Sequence, residues 1–428
     1  MENDTQKILI WNTFPLKARS GGPTTYLYNL EKSVVLNGLQ ERIHFAHDYE
    51  VSIPKQKSAL SLFFKEKVKP GIQYFLKDLT KIDTLFRWLT NKNEKEALKK
   101  EQANAAWKQG VLDMLFVAKE SVPAHIDLNA YAYIHFHSTF EYYACRNLLK
   151  EYRGEILLTS HAPKAVHKEI VEDWFYGHTI TEEQLAAIIA IDHFAFENAD
   201  HVIFPCDEAQ EPYFNSWEAY KSLPFKNERR EFLTCTEPSV FKRSKKEILS
   251  EYNIPEDAFI ITYFGRHNEV KGYDLLRELG KELLEASEQV YFLVAGKEDP
   301  LAGLSHKRWI EVGWTTDPHS LVNAADLFIL PNRETYFDLA LLEVLSVGTR
   351  CLISETGGNR YFKKLTAEET SGIHYFKAND VADLIKQTKA IIANTPEQNA
   401  NKVLFDTYFH NDVFAKSYIE LIKKLKSE

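Results

Sequence analysis

The stretch Phe264-Gly265-Arg266-His267-Asn268-Glu269-Val270-Lys271-Gly272-Tyr273-Asp274-Leu275-Leu276 decides how the chain is read. It closes an apolar run of strand length, Phe259 to Phe264, and opens a segment in which Leu275, Leu279 and Leu283 recur at helical spacing. A strand ends, a glycine lets the backbone turn, two cations follow, and a helix begins. In open α/β sheets ligands bind at the carboxyl ends of strands, and the amino end of a helix favours anions. Arg266 offers phosphate oxygens a bidentate fork and Lys271 offers a point charge. A surface turn with two solvated cations satisfies the same spacing, so these residues alone leave both readings open.

The same grammar extends in both directions. Val290 to Ala295, Leu327 to Leu330 and Cys351 to Ile353 read as strands alternating with helices. Upstream, Lys7 to Trp11, Tyr131 to His137, Ile156 to Thr159 and His201 to Phe204 read likewise. Short apolar runs separated by helices imply parallel sheets covered on both faces, so the expectation is an α/β chain with two doubly wound domains. The 428 residues agree, being too many for one ordinary core. The join falls between Pro238 and Ile254, giving an N-terminal domain over 1–236 and a C-terminal one over 237–404. A last helix at about Val413 to Lys424, within 405–428, carries Phe414, Tyr418, Leu421 and Ile422 on one side. The segment 55–120 breaks the alternation and reads as a basic helical insertion, with an apolar stripe from Ile72 to Leu89.

With 44% hydrophobic and 26% charged residues the chain reads as globular, and a net charge of -9 leaves no overall basic field for nucleic acid. Cys145, Cys206, Cys235 and Cys351 lie far apart, which fits buried thiols in a reducing cytosol rather than zinc knuckles or disulfides. Met1-Glu2-Asn3-Asp4 lacks the basic start of a signal peptide. No apolar run reaches the ~18–20 residues of a membrane span, so a cytoplasmic location is expected and membrane contact would be peripheral.

A second polar loop follows a buried strand in Leu327-Phe328-Ile329-Leu330-Pro331-Asn332-Arg333-Glu334-Thr335-Tyr336-Phe337-Asp338-Leu339, and a helix with Glu343 about one turn inside comes next. Backbone N–H groups near Phe337 to Leu339 would be free to meet a phosphate or sugar oxygen. Glu343 has two acceptor oxygens for a ribose diol, though a solvated surface glutamate satisfies the pattern equally. His135 and His137 project from one side of a strand, as metal ligands can, but no Cys or Asp set accompanies them, and cleft histidines are the plainer reading.

The two motifs, in this order, resemble family 4 glycosyltransferases of the GT-B fold, which has two Rossmann-like domains facing across a cleft. Ser20-Gly21-Gly22-Pro23, Ile134 to Ser138, Leu158-Thr159-Ser160-His161, Ala199 to Ile203, Gly313-Trp314 before Asp317-Pro318, and Thr356-Gly357-Gly358-Asn359 resemble further family segments. Together they span most of the chain except about 40–130. Each is weak alone, and the ordered set is specific. The resemblance implies that Arg266 and Lys271 neutralise the donor diphosphate as the sugar leaves, Glu343 binds the ribose, and His161 sits against the donor sugar. Gly21 and Gly22 would let the backbone approach the phosphate or acceptor. It further implies a retaining, metal-independent transfer with no cofactor beyond the nucleotide sugar, a UDP-sugar being favoured over a GDP-sugar. Donor contacts are expected from Gly265, Thr335, Phe337, Asp338 and Leu339, and the last helix is expected to cross back to the N-terminal domain.

Two positions depart from the family pattern. Thr335 stands where the family usually has its first glutamate, with Glu334 one residue earlier as the alternative carboxylate. Asp338 stands where the family usually has glycine, able either to cap the helix or to repel a phosphate. These departures motivate a rival expectation, a catalytically inactive GT-B scaffold or partner subunit of an active glycosyltransferase. A GT-B epimerase or phosphorylase is a second rival. The main expectation is transfer of a hexose-type sugar to a saccharide or lipid-linked acceptor in surface polysaccharide or glycolipid synthesis. The basic stripe keeps three readings open: packing on the N-terminal domain, acceptor binding, or a peripheral membrane contact through 60–90. In the last, Trp88 and Phe75 would insert and Lys77, Lys81 and Arg87 would meet headgroups.

Overall fold

The computed structural model describes residues 6–12, 16, 22–46, 105–113, 115–119, 122–123, 126–175, 179–298, 300–394 and 400–427. Two six-stranded parallel sheets form the frame. The first runs in the order β2-β1-β3-β4-β5-β6, from β1 (Ile8–Trp11), β2 (Ile43–Ala46), β3 (Tyr133–Phe136), β4 (Glu155–Leu158), β5 (His201–Phe204) and β6 (Arg230–Glu231). The second runs β12-β11-β10-β7-β8-β9, from β7 (Phe259–Phe264), β8 (Val290–Ala295), β9 (Trp309–Gly313), β10 (Leu327–Leu330), β11 (Cys351–Ser354) and β12 (Ile373–Phe376). β1, β3, β5, β10 and β11 are buried at every residue, as strands covered by helices on both faces must be. The central strands coincide with the apolar runs of the sequence. β2, β6, β9 and β12 do not announce themselves, because His44, Glu311 and His374 interrupt three of them and β6 is only two residues long.

In the second sheet the winding direction reverses between β7 and β10, which pair in parallel. A crevice opens outside the carboxyl ends of strands at such a reversal. The loops after β7 and β10 are the two motifs singled out in the sequence, so the topology brings them side by side.

Five helices bear on the site. α1 (Gly22–Leu36) follows the first strand, and α2 (Tyr273–Ala286) follows β7. α3 (Pro318–Ala324), α4 (Leu339–Val347) and α5 (Asn411–Ser427) complete the set. α5 crosses to the first sheet, where Phe414, Tyr418 and Ile422 join Tyr26, Leu30, Ile8 and Ile10 in one core cluster. Ser33 Oγ donates to the Asn411 carbonyl and accepts from the Ala415 N–H at 2.9 Å. The preceding helix, Ala400–Tyr408, places Leu404 and Phe405 in the cluster that holds Leu342 and Leu345 of α4, so the chain changes domain at 409–411.

Part of the 55–120 insertion is described. Residues 105–113 are helical, and Val111, Leu112 and Leu115 pack with Phe140, Ile170 and Phe175 of the N-terminal domain. The stripe from Ile72 to Leu89 lies outside the described residues, as does Gly21. Among the described residues no helix is long and apolar enough to cross a membrane.

Candidate functional site

The loop after β7 is fixed by backbone crowding. Gly272 has φ +65°, and a Cβ there would stand 1.8 Å from the Pro331 carbonyl oxygen, so only glycine lets the β7 and β10 loops touch. Arg333 ties the same loops together. Its N–H donates to the Val270 carbonyl at 3.0 Å, and its guanidinium grips Asp274 in a fork, Nη1 to Oδ1 at 2.9 Å and Nη2 to Oδ2 at 2.6 Å. Arg333 lay inside the second motif without a role, since its partner is 59 residues away.

On this base Lys271 reaches Asp338. Its Nζ donates to Asp338 Oδ2 at 2.7 Å, and Asn332 Nδ2 donates to the same oxygen at 2.7 Å. Asp338 Oδ1 accepts from the Ala340 N–H at 3.0 Å and so caps α4. Burial would raise the Asp338 carboxyl pKa, but Lys271, Asn332 and the Ala340 N–H outweigh it and hold the pKa below the usual carboxylate value. Of the two expectations for Asp338, the structure shows the cap: it caps α4, and it also pairs with Lys271, the cation that the family resemblance assigns to a diphosphate. Arg266 is exposed beside them, and its guanidinium has no ion-pair partner among the described residues. Gly265 lies at the end of β7, where a Cβ would press the Tyr263 hydroxyl at 2.8 Å.

Glu343 sits on α4 and its Oε2 meets His319 Nε2 of α3 at 3.0 Å, while its other oxygen has no hydrogen-bond partner among the described residues. Leu339 opens α4, and Phe337 packs on Tyr361, Phe362 and Phe409. Thr335 is buried, and its hydroxyl stands where a carboxylate was the family's usual group. Glu334 is exposed. Its pKa is raised by partial burial and by the carboxylates of Glu172 and Glu211, against the opposing pull of Lys164. All three of those residues belong to the N-terminal domain, so Glu334 faces across the interface.

The opposing wall carries His161, held at φ +57° just after β4, a conformation that is uncommon for a residue other than glycine and gathers at functional sites. Its Nε2 meets His137 Nδ1 at 2.8 Å, and the two rings stack. Burial pushes the His161 pKa down to about 3, and His137 is also driven well below the usual histidine value by burial and by its two histidine neighbours. His135 uses both ring nitrogens within the protein, Nδ1 to the Tyr418 hydroxyl at 2.7 Å and Nε2 to Thr159 Oγ1 at 3.0 Å. That corrects the metal-ligand alternative for His135, which has no lone pair left over.

Between the walls stands Tyr336. Its ring lies 6.5 Å from His161 and 6.0 Å from Phe204, in a small cavity that it lines with Tyr26, Thr159, Pro205 and Thr234. Its hydroxyl is buried and has no hydrogen-bond partner among the described residues. The interface beside it is polar: Glu211 accepts from the Gly357 N–H at 3.1 Å and pairs with Arg360, and Lys364 pairs with Glu208 at 2.9 Å. Neither Tyr336 nor the His137–His161 contact was legible in the sequence, because each depends on which loops tertiary structure sets opposite one another. Gly22 begins α1 with open space around it.

Two Rossmann-like domains facing across a crevice, with cations and a helix amino end on one side, define the GT-B class of fold. The C-terminal domain matches the glycosyl transferases group 1 family over residues 258–394. Over 127 residues the chain is 30% identical to glycogen synthase from Mannheimia succiniciproducens, covering 27% of each. It is 25% identical over 203 residues to UDP-Gal:alpha-D-GlcNAc-diphosphoundecaprenol alpha-1,3-galactosyltransferase from Escherichia coli, covering 43% of this chain and 51% of that one. The chain thus spans about a quarter to about half of the length of these curated relatives. Sucrose-phosphate synthase from Thermosynechococcus elongatus superposes with a TM-score of 0.59 at 17% identity, over 99% of both chains, a likeness of fold.

Proposed function

We propose that the chain is a retaining, metal-independent glycosyltransferase. It moves a hexose-type sugar from a nucleoside diphosphate, UDP in preference to GDP, to a saccharide or lipid-linked acceptor in surface polysaccharide or glycolipid synthesis. The observation that carries this reading is the meeting of Arg266, Lys271 and the amino end of α4 at the β7/β10 reversal, opposite His161. Arg266 and Lys271 take the diphosphate charge as the glycosidic oxygen departs, and Glu343 uses its oxygen not engaged by His319 for the ribose. The neutral imidazole of His161 lies against the sugar. Catalysis is then electrostatic stabilisation of the leaving group in a cleft shielded from water, with no protein nucleophile required. The galactosyltransferase relative, by its name, uses a UDP-sugar and a lipid diphosphate acceptor, which supports the donor base and the acceptor class.

The Asp338–Lys271 pair favours one other reading, a GT-B partner subunit whose phosphate site is internally filled. Thermal shifts with UDP, GDP, ADP and CMP separate the two. A ligand at ~100 times its dissociation constant adds about 2.7 kcal/mol and raises the melting temperature by a few degrees. A rise with UDP that vanishes in Lys271→Ala supports the enzyme. No rise with any nucleotide puts the scaffold first.

A further inference from the structure

The His137–His161 contact has a direction. Both imidazoles are neutral near pH 7, so one nitrogen donates its proton and the other accepts with its lone pair. If His161 Nε2 were the donor, His137 would carry its proton on Nε2. That atom is buried and has no hydrogen-bond partner among the described residues, so the arrangement would leave an orphaned N–H in the interior. Either arrangement leaves Nε2 without a partner; among buried backbone groups an orphaned N–H is rarer than an under-satisfied acceptor, and the same order is taken here for the imidazole. If His137 Nδ1 is the donor, its Nε2 keeps only a lone pair, and the proton of His161 resides on Nδ1.

We propose that His137 is a positioning residue: it donates Nδ1–H to His161 Nε2 and so locks His161 as the Nδ1–H tautomer, presenting an uncharged donor to an oxygen of the bound substrate. The surroundings serve this arrangement. Tyr26 packs on both rings, at 4.5 Å from His161 and 5.6 Å from His137. The His135 ring lies 4.0 Å from His137 and is itself pinned by Tyr418 of α5 and by Thr159. His161 Nδ1 has no hydrogen-bond partner among the described residues, and the ring lines the cavity next to Tyr336. A donor at this nitrogen selects an acceptor oxygen, of a sugar hydroxyl or of a phosphate, and rejects an ammonium group such as that of an amino sugar.

The inference rests on reading the cleft as the donor-sugar site, and its test separates the two. In the free protein labelled with 15N-histidine, two-bond 1H–15N correlations report which nitrogen of each ring is protonated, and His161→Phe assigns the His161 signals. The expected result is a protonated Nδ1 on His161, a tautomer mixture in His137→Leu, and return of the Nδ1–H form in His137→Asn, whose amide N–H stands in for Nδ1. Turnover of the donor should fall about ten- to a hundredfold in His137→Leu and recover in large part in His137→Asn, with UDP affinity held. A protonated Nε2 on His161 in the unaltered protein overturns the proposal. So does a His161 tautomer that His137→Leu leaves in place. If His137→Leu does not fold, the unaltered protein alone still decides between the tautomers. Absence of any transfer activity alongside the expected tautomers counts against the functional reading and leaves the positioning result standing.

Discussion

Replacing Asp338 with asparagine isolates the conflict built into the proposed phosphate site. The carboxylate holds Lys271 at 2.7 Å, and both of its oxygens are engaged, one by Lys271 and Asn332 and the other by the Ala340 N–H. A diphosphate oxygen reaching the same ammonium would sit about 4 Å from that carboxylate. At an effective dielectric of about 20, two unit charges at that distance repel by about 4 kcal/mol. Turning the carboxylate away instead breaks charge-assisted hydrogen bonds worth about 1.5–3 kcal/mol each. Either route holds back donor binding by at least about 1.4 kcal/mol, a factor of ten in dissociation constant. The substituted amide would keep its oxygen as the acceptor for the Ala340 N–H, while its NH2, standing where Oδ2 accepted from Lys271 and Asn332, releases both donors and removes the charge. Isothermal titration of Asp338→Asn with UDP at neutral pH and low salt should therefore show at least about tenfold tighter binding. Urea unfolding of the free protein should show a loss of about 1–2 kcal/mol, since Lys271 loses its partner. Equal or weaker UDP binding by a folded Asp338→Asn protein would refute the idea that this carboxylate competes with the donor.

Three further outcomes follow from the geometry. The His161 pKa is depressed to about 3 while an unfolded histidine titrates near 6.5, so between those values the unfolded chain binds a proton that the folded one refuses. Stability should fall with acidification from about pH 6.5 by about 1.4 kcal/mol per pH unit from this residue, and His161→Phe should flatten the melting-temperature profile there; a profile as steep as the parent's would count against it. Asp338 acts in a lower window that overlaps the end of the first: its depressed pKa contributes stability above about pH 4 that is lost as pH falls further, so Asp338→Asn should lessen the dependence only below that value. Gly272→Ala should cost more than about 3 kcal/mol or prevent folding, because its methyl group meets the Pro331 carbonyl oxygen at 1.8 Å and its backbone is left-handed; a urea midpoint near the parent's would contradict this.

How far the sequence reaches is visible at particular residues. Phe259–Phe264, Val290–Ala295 and Leu327–Leu330 are strands with the bounds their apolar runs suggest, since strands buried on both faces are, Thr262 aside, apolar along their length. β9 escapes notice because Glu311 faces outward to bond the Trp309 indole and the Tyr273 hydroxyl, a pairing no local pattern announces. At the site, the motifs holding Arg266, Lys271 and Glu343 were legible, and they lie in the loops and the helix that flank the β7/β10 reversal. The occupation of Lys271 by Asp338 was not, because a separation of 67 residues is closed only by the parallel pairing of β7 and β10. Tyr336 drew no role from the sequence for the same reason, its cavity being lined mostly by residues of the other domain.

The crossing of α5 has a consequence for how the molecule comes to exist. One face of the first sheet is closed by residues 411–427, and the hydrogen bond between Ser33 and Asn411 spans 378 positions of chain. A nascent chain carrying the whole first sheet still lacks that cover, so Tyr26, Leu30, Ile8 and Ile10 wait unsheltered while the second domain is synthesised. Contacts of such long separation close late, and a half-covered parallel sheet is the form most open to chaperones and to aggregation in the interval. The second sheet has no such dependence on a distant segment, so although it is made later it can finish first, and the domain that begins the chain becomes the last to be sealed.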